Sequence, residues 1–101
     1  MPSNDVEKHF AESLHSVVLH LIKNAVRVPP PVLAAARAAE KHAWSQLPDD
    51  DKSAQVREIA ALTEEPSPIF RHFESFPHPA SREIYARYAK ALALYKTQLG
   101  L

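Results

Sequence analysis

The sequence predicts an all-α fold, a compact bundle of four to five helices with long first and last members. Three observations carry this. Apolar residues recur at helical spacing through most of the chain. Nine prolines and a single glycine punctuate it, so helix stops are plentiful and glycine-dependent hairpin turns are not. No stretch alternates apolar and polar residues for long enough to argue for a strand. With 101 residues, the chain is expected to form one domain, residues 1–101.

The last helix, predicted over 79–99, has the fullest set of signals. Pro79 opens it, since the missing N–H would have no intrahelical partner there. Gly100 closes it, ready for a left-handed turn. At about 100° per residue, Ile84, Tyr85, Tyr88, Ala91, Leu92, Tyr95 and Leu99 share one face.

The first helix is expected over 5–28, with Asp5 as its N-cap. Val6, Phe10, Leu14, Val17, Leu21 and Val28 form a stripe that Val18, Ile22 and Ala25 widen and that Leu19 and Val26 extend. That is wider than packing on one neighbour requires, so the helix is expected to be central, covered by several others, and also to meet another copy of the protein along its second edge. Pro29-Pro30-Pro31 stops it, because a residue before proline avoids helical dihedrals.

An alanine-rich second helix follows over 31–47, with Val32, Leu33, Ala36, Ala39, Ala43, Trp44 and Leu47 facing inward. Asp49, Asp50 and Asp51 then suit the first turn of a third helix, 50–64, where the helix dipole is positive. Ser67 and Pro68 start a short fourth segment, 68–75, in which Ile69, Phe70 and Phe73 plug one end of the bundle, with Phe76 just after it.

Composition removes several classes of function. Twelve basic and twelve acidic residues cancel, so no global field draws the chain to nucleic acid or anionic lipid. The short turn before the third helix invites a helix-turn-helix reading. Its three aspartates would repel phosphates, so nucleic-acid binding as a monomer is not expected. Cysteine is absent, which rules out disulfides and thiolate chemistry and fits a cytoplasmic location. The first residues lack the pattern of a secretory signal, and no apolar run is long enough for a membrane span.

No cofactor, metal or catalytic motif stands out. His9, Glu12 and His15 repeat every three residues, but the two histidines are about 9 Å apart along a helix axis, too far to share one ion readily. The polar residues worth following are His15, Glu40, His72 and His78. His15 sits at the far edge of the first stripe. Glu40 falls within the apolar face of the second helix and needs a partner there. His72 and His78 flank the phenylalanines.

Interface candidates are Val18, Leu21, Ile22 and Val26 on the first helix and Tyr85, Tyr88, Leu92 and Tyr95 on the last, where tyrosines serve equally as core or contact residues. The expectation is a small non-enzymatic protein–protein interaction module, a regulator, inhibitor or adaptor, acting as a homodimer or in a hetero-complex. The alternatives are a small-ligand-binding or catalytic bundle using Glu40 and histidines in an aromatic pocket, and an accessory subunit of a larger enzyme.

Overall fold

Helix α1, Asn4–Lys23, lies between α2, Pro30–Glu40, and α5, Pro79–Leu99, and makes its most extensive contacts with those two. A 3₁₀ turn, Trp44–Gln46, leads from α2 towards α3, Asp49–Thr63, and the short α4, Pro68–Ser75, joins α3 to α5. This computed structural model describes residues 4–40 and 43–101, the side chain of Asn4 excepted. All elements among the described residues are helical.

α1 and α5 run antiparallel. His20 near the end of α1 meets Ser81 at the start of α5, while Phe10, early in α1, packs on Tyr88 and Tyr95 further along α5. The stripe on α1 is buried where its centre is predicted: Phe10, Leu14, Val17 and Leu21 have no solvent exposure. α2 turns Val32, Ala35, Ala36 and Ala39 inward, and α1 packs on this mostly small-residue face. Val56, Ile59 and Ala60 of α3, with Ile69 and Phe73 of α4, close the core.

Two boundaries differ from those the sequence predicts. α1 ends at Lys23 rather than Val28, because the chain leaves the helix in a left-handed turn at Ala25, φ 58°. Val26 N–H donates to Leu21 O at 3.0 Å and Ala25 N–H to Ile22 O at 3.1 Å, the paired bonds of a Schellman stop. The Asn24 side chain adds a bond to His20 O at 2.8 Å. Val26 then folds back onto the core as a helix-terminating apolar contact and is no part of a longer stripe.

α2 is also shorter than predicted. Its described helix stops at Glu40, and Trp44, expected on the same helix, sits instead in the 3₁₀ turn with its ring buried. Lys41 and His42 lie outside the described residues. A smaller correction concerns Asp5, which occupies the first turn of α1 rather than its cap.

The remaining stops match their signals. Ser67 Oγ accepts from Phe70 N–H at 3.1 Å, with Pro68 next to it at the helix start. Asp49, Asp50 and Asp51 occupy the first turn of α3. Gly100 adopts φ 77° and ends α5 with the same paired bonds seen after α1. No helix among the described residues is long and apolar enough to cross a membrane.

Ala25 holds a conformation that costs an L-residue about 1–2 kcal/mol and glycine almost nothing. Its side chain is exposed, so nothing else depends on its methyl group. Ala25→Gly is expected to raise stability by about 0.5–1 kcal/mol, after the larger unfolded-state entropy of glycine is offset. Urea denaturation followed by circular dichroism would measure this, and a lowered midpoint would contradict the left-handed stop.

Candidate functional site

Polar chemistry inside this bundle gathers along α5. Phe10 is the hub of an aromatic group, with ring centroids 5.9 Å from Trp44, 6.0 Å from Tyr88 and 5.1 Å from Tyr95. Burying a phenol obliges its hydroxyl to find a partner. Trp44 Nε1–H donates to the Tyr95 hydroxyl at 2.9 Å. Thr63 spends its one proton on Ile59 O at 2.8 Å, so the Tyr88 hydroxyl at 2.7 Å is the donor to Thr63 Oγ1.

Tyr85 is the exception. It is 6% exposed, its ring stacks on Phe73 at 4.6 Å, and its buried hydroxyl has no hydrogen-bond partner. Tyr85 is one wall of a cleft of about 100 Å³ between α3, α4 and α5. Thr63, Glu64, Glu65, Phe70 and Tyr88 form other walls of this cleft. Lys96 Nζ reaches Glu64 Oε1 at 3.0 Å and Oε2 at 3.3 Å.

Burial raises all three phenol pKa values. That of Tyr95 is pushed up to about 12, and those of Tyr85 and Tyr88 lie higher still. At Tyr85 the Glu64 carboxylate adds to the effect of burial.

A second cluster lies where the end of α1 meets the start of α5. Ser81 Oγ is 2.6 Å from His20 Nε2, and the His20 ring lies 5.6 Å from Phe73 and 5.7 Å from Phe76. His72 stands 5.2 Å from Phe76 on another side, with Nε2 buried and unpartnered. His78, exposed at the N-cap of α5, is 6.5 Å from Phe76 and caps without a side-chain bond. A serine and histidine at this separation have the reach of a nucleophile and its base. Ser81 is 1% exposed, however, and Phe73 and Phe76 pack against the imidazole. The pair therefore ties α1 to α5.

At the opposite end of α1, Lys52 Nζ lies 3.1 Å from Glu7 Oε1, with both side chains nearly buried. The contact is one of charge without aligned hydrogen-bond geometry. Glu7 also borders a wider groove of about 250 Å³ that includes Lys8, Glu12 and Trp44.

Against these positions, the residues singled out from sequence divide sharply. Val18, Leu21, Tyr85, Tyr88, Leu92 and Tyr95 are buried in the chain's own core, so they are not the contact surface expected of them. Ile22 is 53% exposed, Leu19 beside it on α1 is 42% exposed, and Val26 is half-buried. His15 is half-buried on the same side of α1. Glu40 is exposed at the end of α2, which corrects its placement within an apolar face. His72 and His78 do meet around Phe76.

His20 and Ser81 were not visible as a pair. Sequence periodicity places His20 on the polar side of α1 and carries no hint of the α5 turn that covers it. Comparison with protein-family models, with curated proteins and with solved structures returns no match.

The hydroxyl pattern predicts an asymmetric mutational response. Tyr95→Phe and Tyr88→Phe are each expected to cost about 1–3 kcal/mol, because Trp44 Nε1 loses its acceptor in the first and Thr63 its donor in the second. Tyr85→Phe deletes a hydroxyl that has no partner and is expected to be neutral or stabilising. Chemical denaturation of the three variants checks this order.

The raised phenol pKa values also set a pH window. The folded chain holds these protons more tightly than the unfolded chain, whose phenols titrate near 10.0. Their contribution to stability is therefore complete below pH 10 and is lost as pH rises beyond it. Phenolate absorbance and helical circular dichroism, followed together in an alkaline titration, are expected to change together. Three tyrosines ionising in a fully helical chain would contradict the buried assignment.

Proposed function

We propose that the chain is a non-enzymatic interaction module that acts as a homodimer through the outer face of α1. The observation that carries this is the exposure of Leu19 and Ile22 there, 42% and 53%, beside the half-buried His15. Single exposed leucines are ordinary on protein surfaces. Two neighbouring large apolar side chains on the longest-packed helix of the fold make a patch of the kind that partners cover.

The charges around the patch favour a second copy as the occupant. Glu12 and Lys23 share the outer face of α1, about 20° apart at the helical 100° per residue. Two α1 helices packed antiparallel about a twofold axis near residues 17 and 18 bring Glu12 of each copy opposite Lys23 of the other. The two Leu19 side chains then come within about one helical turn of each other along the axis. Such a dimer would leave the buried aromatic core of each chain untouched and would suit a small regulator, inhibitor or adaptor.

A catalytic reading through Glu40 and the histidines has less support, since Glu40 stands in solvent while His72 packs among phenylalanines. Light scattering across a dilution series tests the dimer. The wild type is expected to show a concentration-dependent dimer mass, Leu19→Glu a folded monomer, and Leu94→Glu, altered at an exposed leucine of α5, the wild-type mass. A wild type that stays monomeric at every concentration would sink the reading.

A further inference from the structure

The antiparallel register of α1 and α5 brings an unsatisfied serine level with an arginine. Ser81 of α5 meets His20 of α1. Seven residues back along α1 from His20 stands Ser13, and six residues forward along α5 from Ser81 stands Arg87. At the helical rise these steps are about 10.5 Å and about 9 Å, so the two residues arrive at nearly the same height. They border a groove of about 230 Å³, with Glu12 and Ser16 on the α1 side and Ile84 on the α5 side. We infer that this groove binds a free α-amino acid, its carboxylate held by Arg87 and Ser13 Oγ and its ammonium by Glu12.

Ser13 is the observation that points to a ligand. The residue is 5% exposed, and its hydroxyl makes no hydrogen bond with the described residues. A helical hydroxyl without another partner ordinarily returns its proton to the carbonyl one turn earlier. Ser16 does so to Glu12 O at 3.1 Å, and Thr97 to Ala93 O at 3.0 Å. Ser13 does not. Its Oγ also differs from the Tyr85 hydroxyl, which is unpartnered but sealed from solvent, because it retains accessible surface on the groove.

The charges around the groove are separated opposites. Arg87 Nη2 lies 3.6 Å from Glu83 Oε1, beyond hydrogen-bond range, with the two side chains 63% and 74% exposed. An exposed pair of this kind contributes little, so the guanidinium keeps its N–H fork for a carboxylate. Glu12 is exposed and has no ion pair among the described residues. Its carboxylate only accepts hydrogen bonds, which suits an ammonium group.

A plain anion would meet Glu12 as well as Arg87, and a plain cation would meet Arg87 as well as Glu12. A zwitterion satisfies both. Ile84, half-buried on the α5 wall, offers an apolar contact for a short side chain. The groove volume is that of about seven or eight waters at about 30 Å³ each, which suits a small aliphatic amino acid.

All of these groups come from one chain, so the inference does not rest on the dimer proposed above. Glu12 belongs to both surfaces, and a bound amino acid would compete for it with Lys23 of a second copy.

Titration with L-valine, followed by amide chemical shifts in ¹⁵N-labelled protein, tests the inference. Saturable shifts are expected at Glu12, Ser13, Ile84 and Arg87. N-acetylvaline lacks the ammonium and valine amide lacks the carboxylate, and each is expected to bind at least about tenfold more weakly. Arg87→Gln and Glu12→Gln are expected to weaken valine by a similar factor, and Ser13→Ala by less. Arg87 and Glu12 are exposed, so both variants are expected to fold, and circular dichroism separates lost binding from lost structure. Shifts that do not saturate, equal binding by Arg87→Gln, or N-acetylvaline or valine amide binding as tightly as valine would overturn the site. The same titration on Leu19→Glu keeps the two readings apart. Binding there, with a wild type that never dimerises, upholds the groove and removes only the dimer.

Discussion

Burying phenols without stranding their hydroxyls is the constraint on which this structure depends. One face of α5 carries three tyrosines into the interior, and two of them define where other elements must lie. Tyr95 needs Trp44 Nε1 within hydrogen-bond reach, which fixes the 3₁₀ turn against α5 across 51 residues of sequence. Tyr88 needs Thr63, the last residue of α3, which sets where that helix ends relative to α5. Phe10 of α1 fills the space between these rings, so α1, the 3₁₀ turn, α3 and α5 are all secured by one aromatic group. Apolar burial supplies most of the driving force, as in any small domain, but it is non-directional. The hydroxyl partners give it direction.

The two ends of the bundle use different chemistry. At one, Lys52 and Glu7 form a nearly buried ion pair beside Trp44. At the other, Phe76 is flanked by His20, His72 and His78, and His20 reaches across to Ser81. Both ends link the two terminal halves of the chain, since α1 is the common member. Among the described residues, the outward features include an apolar strip on α1, the exposed Leu94 of α5, the groove beside Trp44 and the cleft beside Tyr85.

Helix identity could be read from local signals because those signals act locally. Pro79, Gly100, Ser67 and the aspartates before Lys52 change backbone energies within one turn of themselves, and each marks the boundary it was expected to mark. Apolar spacing likewise placed the centre of the α1 stripe, Phe10, Leu14, Val17 and Leu21, in the core. It failed at the margins. An alanine can occupy the left-handed turn that glycine prefers when Val26 gains a packing contact, and nothing in the residue type announces it.

The chain's composition and spacing thus settle that it forms helices, where most begin and which residues are inward. Its three-dimensional packing settles what those residues are for. Tyr85, Tyr88 and Tyr95 look alike in sequence at helical spacing, yet two find partners and one does not, because Trp44 and Thr63 come from distant parts of the chain. The same holds for His20, polar by period but covered by a serine 61 residues later. Helical periodicity records which way a side chain points. It carries no record of what the neighbouring helix brings to meet it, since that depends on contacts between residues far apart in sequence.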